Sequence, residues 1–177
     1  MAKFFAIFGN PVEHSLSPIM HNSAFIKLGF DGVYKKIHLK DGKNLKKSFF
    51  EHNLSGANIT VPHKEAAFKA ADIVDDFAKE VGAVNTLVLK DNKLYGYNTD
   101  APGFVYSIKK YKDLKNILIL GAGGTAKAVA PALKNENYEV SILNRGQERL
   151  EYFKKRGFDS FSFKDFKISN FVLIVNM

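Results

Sequence analysis

Apolar and polar residues along the first hundred positions alternate between two periods, one typical of strands and one typical of helices. Residues 4–9 form a continuous apolar run that ends in a turn, which predicts a strand buried on both faces. The next segment places apolar residues near helical spacing. We expect Ser17 to be the N-cap of this helix, Pro18 to be its first residue and Gly29 to end it.

The following elements continue the same alternation. They are, in order, a strand over 33–39, a Lys-rich helix near 44–52, a strand over 56–60, a helix from His63 and a short helix over 75–81. A hairpin then turns at Asp91–Asn92. The βαβαβα order with a terminal hairpin predicts a mostly parallel sheet covered by helices.

A second alternation starts after the charged segment KDLKN and reads strand, helix, strand, helix, short strand, strand. We therefore predict an α/β protein with a first domain over 1–100, a connecting helix over 101–112 and a second, Rossmann-like domain over 113–177. The last of these strands, over 171–177, would be the fourth of the second sheet.

Composition excludes several classes of protein. Apolar residues make up 46% of the 177 residues, which is typical of a globular chain. No apolar run approaches the roughly 20 residues of a membrane helix, and the N-terminus lacks the apolar core of a signal peptide. The chain has no cysteine, which excludes disulfides and thiolate metal ligands and fits a reducing, cytoplasmic location.

The net charge of +8 leaves a basic nucleic-acid binder as one hypothesis. The lysines are scattered as doublets, however, and no arginine-rich run or RNA-binding aromatic motif is present. We interpret the charge as a solvated surface that helps to attract anionic small molecules, with no specific nucleic acid and no membrane as partners.

A glycine-rich loop follows the first strand of the second domain and opens the next helix. Its residues are Gly121, Ala122, Gly123, Gly124, Thr125 and Ala126. This spacing is the fingerprint of dinucleotide binding, in which the first glycine permits a tight turn and the second lets the backbone approach a pyrophosphate. A glycine turn used only for packing is the alternative, and the strand–loop–helix context favours the nucleotide.

The end of the next strand carries Asn144 and Arg145, and Arg149 follows. NAD-binding domains usually place an acid there to bind the ribose 2′-hydroxyl, and this chain has none. The planar fork of an arginine suits a 2′-phosphate, so the sequence predicts NADP as the cofactor.

The stretch GANITVPHKEAA places Asn58, Thr60 and Lys64 at a strand–turn–helix junction. Taken alone, this segment is explained best by turn chemistry and a solvated lysine. His14, His21 and His63 invite a metal hypothesis, but they lack a metal-ligand spacing with carboxylates, and we expect no metal.

Six motifs together resemble the shikimate dehydrogenase family, and they occur in order along essentially the whole chain. They are GNPVEHSLSPIMHN, GANITVPHK, EVGAVNT, YGYNTD, GAGGTAKA and the Asn–Arg pair. The resemblance implies an N-terminal substrate domain, a Rossmann-type NADP domain and the reduction of 3-dehydroshikimate to shikimate in aromatic amino-acid biosynthesis.

The resemblance also implies roles for individual residues. Lys64 would be the catalytic lysine, with Asp100 as its partner, because an ammonium can stabilise an alkoxide and donate a proton to it. Ser15 and Ser17 would hold the substrate carboxylate, while Asn58 and Asn85 would bind ring hydroxyls. Thr60 would line the same cleft.

Two features depart from the family pattern. Gly146 stands where the family usually has a threonine, which removes a hydroxyl from the 2′-phosphate site. Family members also continue considerably further, through more of the Rossmann sheet and a C-terminal helix that brings a Gln to the substrate. If the chain is the whole protein, we expect little or no turnover.

Other functions stay open at this stage. A relative that accepts quinate and uses NAD or NADP is one, and a non-catalytic remnant that binds nucleotide or shikimate is another. The protein could be a monomer or a homodimer.

Overall fold

Apolar runs form the central strands of two separate sheets. The computed structural model describes residues 2–111, 113–167 and 171–177. The chain divides into a first unit that ends at Asn98 and a second unit that begins at Thr99. Helices and strands alternate in both units, so the predicted α/β class is confirmed.

The first unit contains six strands and four α-helices among its described residues. They are β1 (Lys3–Gly9), α1 (Ser17–Leu28), β2 (Gly32–His38), α2 (Leu45–Glu51), β3 (Leu54–Ile59), α3 (Lys64–Ala70), β4 (Ile73–Val74), α4 (Asp76–Val81), β5 (Thr86–Lys90) and β6 (Lys93–Tyr97). The strand order is β2-β1-β3-β5-β6-β4. Strands β1, β2 and β3 are parallel to one another, whereas β5 is antiparallel to β3 and β6.

The hairpin between β5 and β6 confirms the predicted turn. Asp91 and Asn92 have φ values of 48° and 57°, which match the left-handed turn that suits the twist of a two-residue hairpin. Strand β4 was not predicted, because its two residues are too short to show a period.

One face of the first sheet packs into the main hydrophobic core. Phe8 from β1, Leu45 and Phe49 from α2, and Leu87 and Leu94 from the hairpin are all 0% exposed in this cluster. Apolar side chains on alternate positions of the strands therefore meet the buried stripe of α2.

Helix α1 begins one residue earlier than predicted. Its first residue is Ser17 and its cap residue is Leu16, which makes no side-chain hydrogen bond, so the predictions of Ser17 as N-cap and of Pro18 as first residue were wrong. Gly29 ends the helix in the left-handed conformation, as predicted. No residue of α1 is buried, although Phe25 packs against Phe5 with ring centroids 5.4 Å apart.

The second unit is an all-parallel sheet with helices between its strands. Its elements are α5 (Asp100–Ile108), β7 (Asn116–Leu120), α6 (Gly124–Asn135), β8 (Glu139–Asn144), α7 (Leu150–Lys154), β9 (Asp159–Ser162) and β10 (Leu173–Asn176). The strand order is β10-β7-β8-β9, which is the order of the first four strands of a doubly wound sheet.

The predicted connecting helix corresponds to α5, which packs against α6 within the second unit. The domain boundaries predicted at residues 100 and 112 stay predictions. No helix within residues 2–111, 113–167 and 171–177 has both the length and the hydropathy of a membrane span.

Two adjacent phenylalanines of α2 provide a test of the core. Phe49 is 0% exposed and Phe50 is 43% exposed. We expect Phe49→Ala to lower the free energy of unfolding of the first unit by about 3–5 kcal/mol, because the lost side chain leaves a cavity. Phe50→Ala is the control and should cost less than about 1 kcal/mol. Denaturant titration followed by circular dichroism measures both, and equal losses would contradict the assigned core.

Candidate functional site

The carboxyl ends of β1 and β3 bring the first candidate residues together. The Thr60 N–H donates to the Phe8 carbonyl oxygen over 2.9 Å, and the Asn10 N–H donates to that of Val61 over 3.1 Å. A Cβ at Gly9 would lie 2.5 Å from Thr60 Cγ2, so only glycine allows this approach. The loop after β1 is thereby held against the segment that carries Thr60.

Ser15 and Ser17 are neighbours at the start of α1. The Ser15 hydroxyl donates to Ser17 Oγ over 3.2 Å, and it accepts from the Ser17 N–H over 3.3 Å. Both side chains are half-buried. The two hydroxyls therefore form a paired group that can present donors to one carboxylate.

A chain of hydrogen bonds connects the two candidate asparagines. The Tyr34 hydroxyl donates to Asn58 Oδ1 over 2.7 Å, and Asn58 Nδ2 donates to Thr86 Oγ1 over 3.3 Å. Thr86 Oγ1 in turn donates to Asn85 Oδ1 over 2.9 Å. Asn58 and Thr86 are opposite one another on β3 and β5, which explains why these side chains meet.

The same strand pairing brings Lys64 to this edge of the sheet. The Ile59 N–H donates to the Asn85 carbonyl oxygen over 2.7 Å, and the Val84 N–H donates to that of Lys64 over 3.0 Å. Lys64 is the first residue of α3 and is half-buried. The structure thus gathers Asn58, Asn85 and the backbone of Lys64 within the first unit.

Asp100 is the first residue of α5, in the second unit, where its carboxylate lies in the first turn of the helix. A carboxylate is stabilised there by the positive end of the helix dipole. Its pairing with Lys64 stays a prediction.

His63 has a structural role. It is 4% exposed, and its Nε2 lies 2.6 Å from the Leu39 carbonyl oxygen, so this nitrogen donates to the backbone. Across the part of the chain that the structure describes, no group of three or more histidine, aspartate or glutamate side chains is arranged to hold a metal ion.

Hydroxyls and neutral amides make up the hydrogen-bonded side chains of this first-unit cluster, and Lys64 follows Thr60 closely along the chain. Such groups suit a small ligand that carries several hydroxyls and a negative charge, because each ligand hydroxyl can meet a directed donor or acceptor.

The glycine loop of the second unit has the geometry of a phosphate site. Gly121 has φ of +113°, and a Cβ there would collide with the Met177 carbonyl oxygen. Gly123 precedes the first helical residue of α6, and Cβ atoms at Gly123 or Gly124 would enter open space. The N–H groups of the first turn of α6 have no intrahelical acceptor, so the residues present fit a pyrophosphate.

A groove of about 500 Å³ lies at the ends of β8 and β9. It is lined by Arg145, Gln147, Ser162, Phe163 and Lys164. Asn144 is engaged locally, since its Nδ2 donates to the Gly146 carbonyl oxygen over 2.8 Å. Arg149 is exposed and precedes the first residue of α7. Arg145 and Lys164 give the groove the cations that a phosphate requires.

Sequence reasoning missed Tyr34 and Thr86 in the first unit, and Ser162 and Lys164 in the second. The position of Thr86 directly after Asn85 was a signal that could have been used. Tyr34 and Lys164 become candidates only when the strand order is known.

Two protein families match the chain. Residues 7–87 match the family described as "Shikimate dehydrogenase substrate binding domain". Residues 106–171 match the family described as "Shikimate / quinate 5-dehydrogenase".

Proteins similar to this chain are named as shikimate dehydrogenases. The "Shikimate dehydrogenase (NADP(+))" of Helicobacter hepaticus is 51% identical over 168 residues, which cover 94% of this chain and 62% of that protein. The crystal structure of shikimate dehydrogenase from Aquifex aeolicus has a TM-score of 0.91 at 35% identity, and it covers 99% of this chain and 68% of its own. The Thermus thermophilus enzyme in complex with NADP(H) and shikimate has a TM-score of 0.83 at 40% identity, with coverage of 90% and 62%.

Alanine replacements at two glycines of the loop distinguish an effect on stability from an effect on ligand binding. We expect Gly121→Ala to destabilise the second unit by roughly 2 kcal/mol or more, because its backbone conformation and the Met177 carbonyl oxygen both exclude a Cβ. Gly123→Ala should leave stability nearly unchanged but weaken NADP binding about 10- to 100-fold, since the methyl would hold phosphates away from the helix N–H groups.

Thermal unfolding and titration calorimetry measure these two effects. Equal stability losses in both variants would contradict the assigned difference between the two positions. NADP affinity unchanged by Gly123→Ala would exclude this loop as the pyrophosphate site.

Proposed function

Because the chain belongs to the shikimate dehydrogenase family, we propose that it acts in the NADP-dependent interconversion of shikimate and 3-dehydroshikimate. The chain spans 62% of the length of the Helicobacter hepaticus relative, so the proposal concerns the reaction of the whole enzyme to which these two units contribute. The observation that carries it is the cluster of Asn58, Thr86 and Asn85 beside Lys64 in the first unit.

The first unit supplies the proposed substrate site. Ser15 and Ser17 bind the carboxylate of shikimate through their adjacent hydroxyls, which lie 3.2 Å apart. Asn58 and Asn85 bind ring hydroxyls, with Thr60 in the same cleft. A ligand that lacked a hydroxyl would leave a half-buried amide unpaired, and this cost gives the site its selectivity.

Lys64 is the proposed catalytic residue. In the direction of reduction, its ammonium donates a proton to the substrate oxygen as the carbonyl becomes a hydroxyl, and it offsets the negative charge that develops on that oxygen. In the reverse direction the amine accepts the same proton. Asp100 is proposed as the partner that orients this group.

The second unit supplies the proposed cofactor site. The loop from Gly121 to Ala126 would hold the pyrophosphate of NADP, and the groove beside Arg145 would hold the adenosine 2′-phosphate. Asn144 supports the loop that carries Arg145, and Arg149 adds a further cation nearby. When bound, NADP supplies the acceptor or donor of hydride.

The use of quinate or NAD is a second candidate, because one of the matching families includes quinate dehydrogenases by its description. Arg145 and Lys164 favour NADP over NAD, since no acid in the groove would bind a ribose 2′-hydroxyl. A homodimer and a monomer are both compatible with the proposal.

Replacement of Lys64 tests the chemical step. In a chimaera that joins this chain to the remaining part of the Helicobacter hepaticus relative, we expect Lys64→Ala to lower kcat by about 10²- to 10⁴-fold, because the proton donor is lost. Shikimate affinity should change less than tenfold. NADPH formation from shikimate is the measurement.

Lys69→Ala is the matched control, since Lys69 is an exposed lysine on the same helix α3. It should leave turnover unchanged. If Lys64→Ala also left turnover unchanged, Lys64 would have no part in the chemistry. The unmodified chain is assayed in parallel to measure what the two units achieve alone.

Replacement of Arg145 tests the choice of cofactor. We expect Arg145→Ala to weaken NADP binding by about 10- to 100-fold and to leave NAD binding nearly unchanged, because the lost contact is to the 2′-phosphate. Arg156→Ala is the control, since Arg156 lies over the Tyr152 ring in the same unit. Calorimetry with both cofactors measures the ratio, and equal weakening of NADP and NAD would contradict the assignment.

A further inference from the structure

We propose that Tyr34 is a positioning residue for the substrate site, because its hydroxyl determines which way the amide of Asn58 faces. The inference rests on the proposed function, in which Asn58 binds a ring hydroxyl of the substrate. Tyr34 acts through Asn58 and does not itself react.

The strand order brings Tyr34 to Asn58 from two strands away. Tyr34 on β2 is opposite Phe5 on β1, and Asn58 on β3 is opposite Ile7 on β1. The phenol therefore extends diagonally across β1 on one face of the sheet. Its oxygen ends 2.7 Å from Asn58 Oδ1, the usual distance for an O–H···O hydrogen bond.

Tyr34 is itself held by burial and by two residues of α1. Its residue is 4% exposed. The side chain of Asn22 in α1 bonds both backbone groups of Tyr34, accepting from its N–H over 2.8 Å and donating to its carbonyl oxygen over 3.0 Å. The imidazole of His21 stacks on the phenol with ring centroids 4.3 Å apart and planes 12° apart. The backbone and the ring of Tyr34 are therefore both held independently of the contact with Asn58.

The direction of each hydrogen bond follows from the phenol. Burial raises the pKa of Tyr34, so its oxygen carries a proton throughout the physiological range and needs an acceptor. Asn58 Oδ1 is that acceptor, which turns Nδ2 towards Thr86. Thr86 then has its own proton available for Asn85 Oδ1. Reversal of the Asn58 amide would leave the buried phenol proton without this acceptor.

The consequence is a defined set of groups for a ligand. Asn58 uses one lone pair of Oδ1 on Tyr34 and one proton of Nδ2 on Thr86. One N–H and one lone pair of its side chain remain, and these two groups match a single ring hydroxyl, which both accepts and donates. The same series of hydrogen bonds fixes the side-chain oxygen of Asn85 towards Thr86, so both amides are oriented before the ligand binds.

Tyr34→Phe is the direct test, because it removes the hydroxyl and keeps the ring that stacks on His21. We expect shikimate affinity, measured by calorimetry, to fall about tenfold. Tyr95→Phe on β6 of the same sheet is the matched control and should change affinity less than twofold. In the chimaera described above, Tyr34→Phe should raise KM with kcat changed less than threefold.

A double-mutant cycle with Asn58→Ala separates positioning from a general loss of stability. If Tyr34 acts through Asn58, Tyr34→Phe should have no further effect on affinity in the Asn58→Ala background. An undiminished tenfold effect in that background would overturn the inference, because the hydroxyl would then act by another route.

The side-chain amide resonances of Asn58 and Asn85 give a readout without any ligand. Tyr34→Phe should shift both sets of ¹H–¹⁵N signals in the free protein, and Tyr95→Phe should shift neither. Unchanged Asn58 signals would overturn the inference even if shikimate binds. If the chimaera fails to bind shikimate, the proposed function is wrong, and the amide signals alone then decide whether Tyr34 orients Asn58.

Discussion

The antiparallel pairing of β3 with β5 constrains the whole substrate site proposed for the first unit. Asn58 and Asn85 are far apart along the chain, and the pairing places Asn58 opposite Thr86, the residue after Asn85. The hydrogen bond from the Ile59 N–H to the Asn85 carbonyl oxygen then closes the end of this ladder at 2.7 Å. A slip of one residue would turn Asn58 to the other face of the sheet, where the hydrophobic core lies.

In the second unit, the close approach of two backbone segments constrains the glycine loop. Gly121 at the end of β7 lies so near the Met177 carbonyl oxygen that no side chain can be placed there. This contact depends on the parallel pairing of β10 with β7. The loop that follows can therefore turn sharply, and α6 begins directly above the end of the strand with its N–H groups exposed for a ligand.

Local signals account for the parts of the structure that the sequence predicted well. Asp91 and Asn92 tolerate positive φ, and the glycine loop stands between an apolar strand and a helix, so both were found without tertiary information. The serine pair was found only by resemblance, and the expected cap at Ser17 was wrong because the chain enters α1 at Leu16. The boundary of a helix can shift by one or two residues with the local backbone geometry, and the order of residue types does not determine this shift.

Features that depend on strand order could not be predicted. Tyr34 reaches Asn58 across β1, and the order β2-β1-β3 cannot be deduced from the alternation of apolar and polar residues. Lys164 joins Arg145 in one groove because β9 lies beside β8. Helix α1 shows a further limit, since its apolar residues have helical spacing but Ile19 and Leu28 are 68% and 78% exposed.

Under the proposed function, the two units would recognise their ligands by different physical means. The first unit presents neutral hydroxyls and amides whose directions are set by a hydrogen-bonded chain from Tyr34 to Asn85. Interactions of this kind are short-ranged and directional, and salt screens them little. The second unit presents backbone N–H groups at the start of α6 together with Arg145 and Lys164, which attract phosphate through charge. Charge attraction at an exposed groove weakens as ionic strength rises. The proposal thus assigns selectivity for the arrangement of hydroxyls to the first unit and the salt-dependent part of the affinity to the second.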